Sequence, residues 1–463
     1  MPQYLVQFAQ FHDEFRLPEF LSLAQLARVK YSYEEGSYSL DSPFFKVELE
    51  SDEAARKLVE RAILIKNIYE LWGEGKNYAE VHTMVKENPE RWPAYNEKSF
   101  KFSVSGFGST ISVPEQRDII NSFSFLAFDG PIDMKNPEVQ FGVMEDYGSE
   151  AGKLGAVKKE PKHIYFGKLV ATGGRDVVNK YNLKKRKYLG TTSMDAELSL
   201  VMANQALAAP GKLVYDPFVG TGSFLFTCAH FGAFTMGSDI DGRQIRGKKN
   251  DGVKANIEQY SLQGRVLDSL VFDVCHHPWR TKAWLDAIVT EAPYGVRAGA
   301  KKLGRKDETK TPLKMRTYEG EPMHERVDYY PPTKPYEMSE VLIDLLNFAA
   351  EHLRVGGRLV YWLPTVVDEY SNNDVPQHPS MKLLSNSEQN FGQWSRRLIT
   401  MEKTREWDAK ETATVEISEG VVKEEAPVPE KQEHNEEDKD EKRPGHFLFR
   451  EKYFNFGRQE TQN

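Results

Sequence analysis

The sequence predicts an α/β chain. A Rossmann-like, doubly wound parallel sheet occupies the second half, behind two smaller blocks of mixed α+β character. Three observations predict it. From about residue 181, short apolar runs suited to buried strands alternate with helical stretches. One of those runs, Leu213-Val-Tyr-Asp-Pro-Phe-Val-Gly-Thr-Gly-Ser-Phe224, leads straight into a glycine turn and a helix. Before residue 180 the pattern is instead strand, helix, strand, helix, as in small α+β domains.

The first block spans 1–84. Tyr4–Phe8 alternates like a strand, and Pro18–Ala27 has helical apolar spacing with proline in its first turn. Phe44–Leu49 alternates again, and Asp52–Arg61 is a second amphipathic helix. The second block spans 85–180. Phe100–Ser105, Val139–Met144 and His163–Leu169 read as strands, and Pro114–Phe123 as a helix with proline near its start. Lys153, Lys158, Lys159, Lys162 and Lys168 cluster late in this block, and Lys180, Lys184, Lys185, Arg186 and Lys187 follow in the connector. Such a stripe suits a phosphate backbone; a solvated lysine surface is the alternative.

The third block spans 181–408. Its strands are Lys212–Tyr215, Phe234–Ser238, Ser269–Phe272, Ala287–Thr290, Arg358–Leu363 and Arg397–Met401, with a long helix over Glu340–Leu353. Periodicity leaves the direction of the last strand open. Segment 409–445 is rich in Glu, Lys and Pro and poor in aromatics, so it is expected to be disordered. Residues 446–463 regain apolar character and are expected to dock back on the body.

Net charge is −8, which argues against a uniformly basic nucleic-acid binder. Its distribution changes that reading. Lys410–Arg443 holds twelve acids against six bases, leaving only −2 for the rest of the chain. Local basic surfaces are therefore compatible with the total. No apolar run approaches the ~20 residues of a membrane span, and the N-terminus has no secretory signal pattern. The two cysteines, Cys228 and Cys275, lack CxxC spacing, so neither a disulfide framework nor a metal site is read, and a reducing compartment is expected.

Three acids close three successive predicted strands. Asp216 is placed for the cationic amino acid end of S-adenosylmethionine, and Asp239 for its ribose hydroxyls, with Asp241 competing for that role. Asp273 is placed for the adenine amine, with Ile240 and Val274 beside these acids. Gly220, Thr221, Gly222 and Ser223 form the turn, where backbone approaches the ligand without a Cβ in the way. The alternative is a dinucleotide site, but Leu225 occupies the third glycine position of GxGxxG.

Some seventy residues later comes Ile288-Val-Thr-Glu-Ala-Pro-Tyr-Gly295. The exocyclic amine of a base is a poor nucleophile because its lone pair is delocalised into the ring. Glu291 and the carbonyl of Ala292 are placed to accept its hydrogens, Pro293 to stiffen the turn, and Tyr294 to stack on the base. A packed tyrosine at a strand end is the alternative. Arg297, Lys301, Lys302 and Arg305 follow, the start of a basic loop suited to phosphate contacts or to simple solvation.

On these residues, the chain resembles the catalytic subunits of eukaryotic tRNA (guanine-10-N2)-methyltransferases. The likeness extends to Phe15–Leu23, Ser42–Phe45, His163–Gly167, Lys184–Ser193, Gly237–Arg243, Pro293–Arg297 and Trp394–Arg397, nearly the whole chain outside the acidic segment. It implies a class I methyltransferase domain preceded by an α+β N-terminal domain and a THUMP domain. It further implies a tRNA substrate, S-adenosylmethionine, a small zinc-binding activator subunit in a heterodimer, a cytoplasmic location, and cofactor contacts from Thr192 and Ser193. The family's acceptor motif is Asp-Pro-Pro-Tyr; this chain has Glu291-Ala292-Pro293-Tyr294. The reading is therefore methyl transfer to the N2 amine of a guanine in tRNA. Its rivals are a DNA amine methyltransferase and a tRNA-binding protein that keeps the cofactor but has impaired catalysis.

Overall fold

The computed structural model describes residues 1–149, 160–248, 251–294, 299–304, 317–323, 326, 329–415, 449 and 453. The chain divides into two compact units, Met1–Val178 and Asn179–Asn463.

The first unit is built from β1 (Gln3–Phe8), α1 (Asp13–Ala27), β2 (Tyr31–Ser32), β3 (Phe44–Leu49), α2 (Asp52–Val59), β4 (Ile65–Gly75), α3 (Tyr78–Lys86), β5 (Phe100–Phe107), α4 (Val113–Ser122), β6 (Val139–Asp146) and β7 (His163–Thr172). All seven strands form one sheet in the order β2-β3-β1-β4-β7-β6-β5. β4 pairs antiparallel with β1 on one side and with β7 on the other. The boundary expected at 84/85 thus falls inside α3, and β4 joins the two expected blocks into one contact unit. α1 begins five residues before Pro18, which lies in the helix interior. Asp13 and Glu14 in the first turn suit the positive end of the helix dipole. Buried Glu19 ties α1 to the sheet by accepting the backbone N–H groups of Ile63 (3.0 Å) and Leu64 (2.7 Å).

The second unit contains α5 (Val177–Tyr181, which straddles the division), α6 (Ala196–Gln205), β8 (Leu213–Asp216), α7 (Ser223–His230), β9 (Phe234–Asp239), α8 (Gly242–Arg246), α9 (Val253–Tyr260), β10 (Val266–Val271), β11 (Leu285–Thr290), β12 (Lys301–Leu303), β13 (Thr317–Tyr318), β14 (Glu321–Pro322), β15 (Thr333–Pro335), α10 (Met338–His352), β16 (Leu353–Val366), β17 (Met381–Asn390) and β18 (Trp394–Lys403). The main sheet runs β10-β9-β8-β11-β16-β18-β17. β10, β9, β8, β11 and β16 are parallel, whereas β18 runs antiparallel to both β16 and β17. This is the Rossmann-like topology of class I methyltransferases. α10 buries Val341, Leu342, Leu345, Leu346 and Ala349, the three-and-four spacing of one helical face, in a core shared with Ile288, Leu359 and Ile399.

Parallel strands deliver the ends of β8, β9, β10 and β11 to one edge of the sheet. A crevice outside those carboxyl ends, where the strand order reverses, is where ligands bind in such folds. β8 lies between β9 and β11, so the reversal occurs at β8.

Candidate active site

β8 ends on Asp216, which is 1% exposed. Its Oδ1 accepts the Thr290 hydroxyl at 2.6 Å and the Phe218 N–H at 3.0 Å. Its Oδ2 is buried and has no hydrogen-bond partner among the described residues. Burial raises the carboxyl to about 7 against the pull of those two donors, and the Asp239 and Glu291 carboxylates add to the rise. A buried orphan oxygen is costly unless something pairs with it. A cationic ligand would satisfy it.

The turn that follows is shaped by two glycines. Gly220 (φ +47°) and Gly222 (φ +86°) both lie in the left-handed region. A Cβ on Gly222 would come within 2.8 Å of the Phe226 ring, so this glycine serves packing as well as conformation. A Cβ on Gly220 would meet nothing closer than 3.8 Å, and that nearest atom is Thr192 Oγ1. Open space therefore faces Gly220 and Thr192. Ser193 Oγ lies 2.8 Å from Thr221 Oγ1, which pins the 190–193 segment against the turn. These features fit S-adenosylmethionine, whose sulfonium and amino group carry positive charge.

β9 ends on Asp239, which is partly exposed. One carboxylate oxygen accepts the Gly220 N–H at 2.9 Å and the other the Asp241 N–H at 2.8 Å. Burial raises this carboxyl to about 6, partly offset by those two bonds. Asp241 is instead gripped by the Arg243 guanidinium at 2.7 and 2.8 Å and accepts the Arg243 N–H as the α8 cap. Of the two competing acids, Asp239 is thus the one in contact with the glycine turn. Ile240, between them, is partly exposed.

Asp273 follows β10 and is 2% exposed. It accepts from Cys275 N–H (3.1 Å) and Leu303 N–H (2.8 Å), and lies 3.1 Å from His276 Nδ1. Its carboxylate is largely committed to local structure. Val274 is a core residue, and Ser223 is buried with its hydroxyl taken by Arg186 and the Met194 N–H. Packing or protein bonds already occupy all three.

The acceptor motif lies at the end of neighbouring β11. Glu291 Oε1 is held by Arg396 Nη1 at 2.8 Å and by the Tyr294 hydroxyl at 3.0 Å. Arg396 is itself fixed: its guanidinium lies 4.1 Å over the Trp362 ring, and its Nε donates to Gln389 at 2.8 Å. Ala292 is fully buried in the core. Burial, with the Glu291 charge, pushes the Tyr294 hydroxyl above the ordinary tyrosine range. Phe449 lies edge-on to Tyr294 at 6.0 Å and contacts Trp394 at 5.9 Å.

Sequence reasoning missed Thr290 and Arg396 as members of the site. Thr290 carries only the weak signal of a hydroxyl at the strand end. Arg396 reaches Glu291 from β18 across more than one hundred residues, and only the strand order predicts that.

The basic residues separate sharply. Lys184, Lys185, Lys187 and Lys301 are exposed. Arg186 is not available to phosphate: it is 5% exposed, donates to Ser223 Oγ (2.8 Å) and Tyr260 OH (3.3 Å), and stacks on Phe226. Its place in the tRNA-binding set is corrected, because burial turns it into an internal strut. Lys302 pairs with Glu340 at 2.8 Å. Arg297, Arg305 and the basic loop beyond lie outside the described residues, as does most of the acidic segment.

Comparison with known proteins gives two family matches. Residues 2–175 match the Tmrp11 THUMP N-terminal domain, and residues 184–307 match the RMKL-like methyltransferase domain. The chain is 37% identical to the tRNA (guanine(10)-N(2))-methyltransferase of Schizosaccharomyces pombe over 98% of its own length and 96% of that protein. It is 36% identical to tRNA (guanine(10)-N(2))-methyltransferase TRMT11 of Homo sapiens, covering 98% and 95%. It is 40% identical to the Saccharomyces cerevisiae protein of the same activity, covering 86% and 92%.

Proposed function

The chain belongs to the tRNA (guanine(10)-N(2))-methyltransferase family, and from that premise we propose that it methylates the exocyclic N2 amine of guanosine-10 in tRNA. The single observation that carries the reading is the 2.6 Å hydrogen bond from Thr290 to Asp216. It ties the end of the acceptor strand to the acid of the cofactor turn, so donor and acceptor pockets adjoin.

S-adenosylmethionine, when bound, supplies an electrophilic methyl group. Asp216 Oδ2 holds its cationic amino acid end, and Asp239 its ribose. Thr192, Ser193 and the 220–222 turn line its path. Glu291 and the Ala292 carbonyl accept the amine hydrogens and turn the nitrogen lone pair toward the donor. Tyr294 stacks on the extruded base. Arg396 keeps the Glu291 carboxylate in one position, and Glu291 or water takes the proton released after transfer. Lys184, Lys185, Lys187 and Lys301 contact phosphates without reading sequence.

The reading includes a small zinc-binding activator subunit in a heterodimer and a cytoplasmic setting. In support of a partner, β10 is the edge strand of its sheet and exposes Leu267 and Val271. Cys228 and Cys275 form no disulfide among the described residues. No helix among the described residues is long and apolar enough to cross a membrane.

The test is nucleoside mass spectrometry after the full chain, with its activator, reacts with labelled cofactor and unmodified tRNA. Labelled N2-methylguanosine at position 10 supports the reading. Label in DNA alone points to a DNA amine methyltransferase. Intact tRNA binding with no label points to a binding protein, in which the Glu291→Asp, Ala292→Pro variant would restore transfer.

A further inference from the structure

A second group of chemistry-bearing side chains lies away from the methyl-transfer site. His277 follows the turn after β10. Glu351 and His352 end α10, and β16 begins at the next residue. β16 is parallel to β11 and β8. His352 therefore sits at the strand-start edge of the sheet, opposite the strand ends that carry Asp216 and Asp239. The backbone confirms that placement, because the Trp284 N–H just before β11 donates to the His352 carbonyl at 2.9 Å.

One ligand atom from each of His277, Glu351 and His352 falls within 4.8 Å of the other two. His352 Nδ1 is 3.9 Å from Glu351 Oε1, and the two imidazole rings are 4.8 Å apart at 78°. The His352 side chain is wholly buried, yet neither of its ring nitrogens has a hydrogen-bond partner among the described residues. His277, partly buried beside it, has among the described residues only the Trp279 backbone within reach of its ring. Two orphaned nitrogens on one wholly buried imidazole beside a carboxylate are unusual, since buried polar groups are nearly always satisfied. Phe348 packs edge-on against both imidazoles, at 5.1 and 4.4 Å, while His277 and Glu351 stay partly open to solvent.

We propose that His277, Glu351 and His352 form a zinc site that staples the end of α10 to the segment between β10 and β11. Two imidazoles and a carboxylate are a ligand set that zinc accepts, with water or solvent in a fourth position. Zinc–ligand bonds of about 2.1 Å set tetrahedral ligand atoms about 3.4 Å apart. Separations of up to 4.8 Å must therefore shorten by as much as about 1.4 Å, through side-chain rotation, for the site to close. Lys403, held by the Leu353 carbonyl at 2.7 Å, disfavours positive charge at His352, and the Glu351 carboxylate favours it. The two halves of the ligand set are 74 residues apart in sequence, and no spacing motif reveals them.

The test uses the full chain by itself, so that every zinc counted belongs to it. After removal of metal with a chelator, zinc chloride is titrated by calorimetry and thermal unfolding is followed. Cobalt serves as a spectroscopic substitute. The expected result is one zinc per chain, a raised Tm, and visible d–d bands of a tetrahedral cobalt centre. His277→Gln, a change at the half-buried ligand, and Glu351→Gln should each weaken zinc binding at least about tenfold. Cofactor binding at the opposite edge should not change. Zinc uptake and Tm response equal in the unaltered chain and in both variants, or no uptake by the unaltered chain, would overturn the proposal. Should one variant fail to fold, the other and the cobalt spectrum of the unaltered chain still decide.

Discussion

Burial raises the Asp216 carboxyl to about 7, so the acid is held partly protonated near neutral pH until a cation arrives. The folded state binds this proton more tightly than the unfolded chain does. Its contribution to stability is therefore fully present below the unfolded pKa near 4 and is lost as pH rises through about 7. Asp216→Asn removes that loss. We expect its Tm to exceed that of the parent by several °C, on the order of 2–4 °C per kcal/mol recovered, at pH 8 but not at pH 4. The same variant should lose cofactor affinity, and a Tm difference that is flat with pH would refute the argument. Cofactor binding near pH 6.5 should also release protons, which calorimetry in buffers of different ionisation enthalpy detects. Arg396 makes a separate case. Through its bond to Glu291 it is a positioning residue, and misplacement of a reacting group by ~1 Å can cost ~10²-fold in rate. Arg396→Gln is expected to lower kcat by about that factor and leave cofactor Kd within about twofold. A fall in both would mean that Arg396 supports the whole pocket.

At the scale of elements, the β8 to α7 turn divides its work between two glycines. Gly222→Ala meets the Phe226 ring at 2.8 Å with φ +86°, so it should cost on the order of 1–3 kcal/mol of stability. Gly220→Ala meets open space, so it should cost less stability but fill the cradle and weaken cofactor binding by about tenfold or more. Denaturant unfolding and calorimetry on the two variants measure both effects, and the same ranking in both assays would contradict this division. The candidate site was legible in the sequence where an element ends on its own signal: Asp216, Asp239 and Glu291 follow short apolar runs that read as buried strands. β4 was not legible, because its register shifts between Ile68 and Tyr69 and between Leu71 and Gly73 break the period-two pattern. β17 escaped for a related reason: Lys382, Leu383 and Leu384 are all exposed, so no alternating apolar face marks it.

For the whole molecule, the near neutrality of the body leaves tRNA affinity to local lysines. Reversing Lys184, Lys185 and Lys187 to Glu in the full chain should weaken tRNA binding across sequences. It should also flatten the plot of log K against log salt by up to about 0.9 per lost contact. Arg186→Gln belongs to another class, because it removes charge-assisted bonds to Ser223 and Tyr260 inside the protein. It should lower stability by roughly 2–3 kcal/mol and leave the salt slope unchanged. Binding titrations across salt, paired with unfolding curves, distinguish the two; a flattened slope in Arg186→Gln would return that residue to the phosphate surface.

Local chemistry was enough to determine the parallel α/β fold and the family and to single out a candidate turn and a candidate acceptor motif, because each is carried by contiguous residues with their own periodicity, turn chemistry or motif. Tertiary structure alone decided that β4 joins two expected domains in one sheet. It also decided that Arg186 is internal, that Thr290 bonds Asp216 and Arg396 holds Glu291, and that His277 meets Glu351 and His352. Those facts depend on strand order and burial, which bring side chains together across scores of residues, and no local pattern encodes such distances.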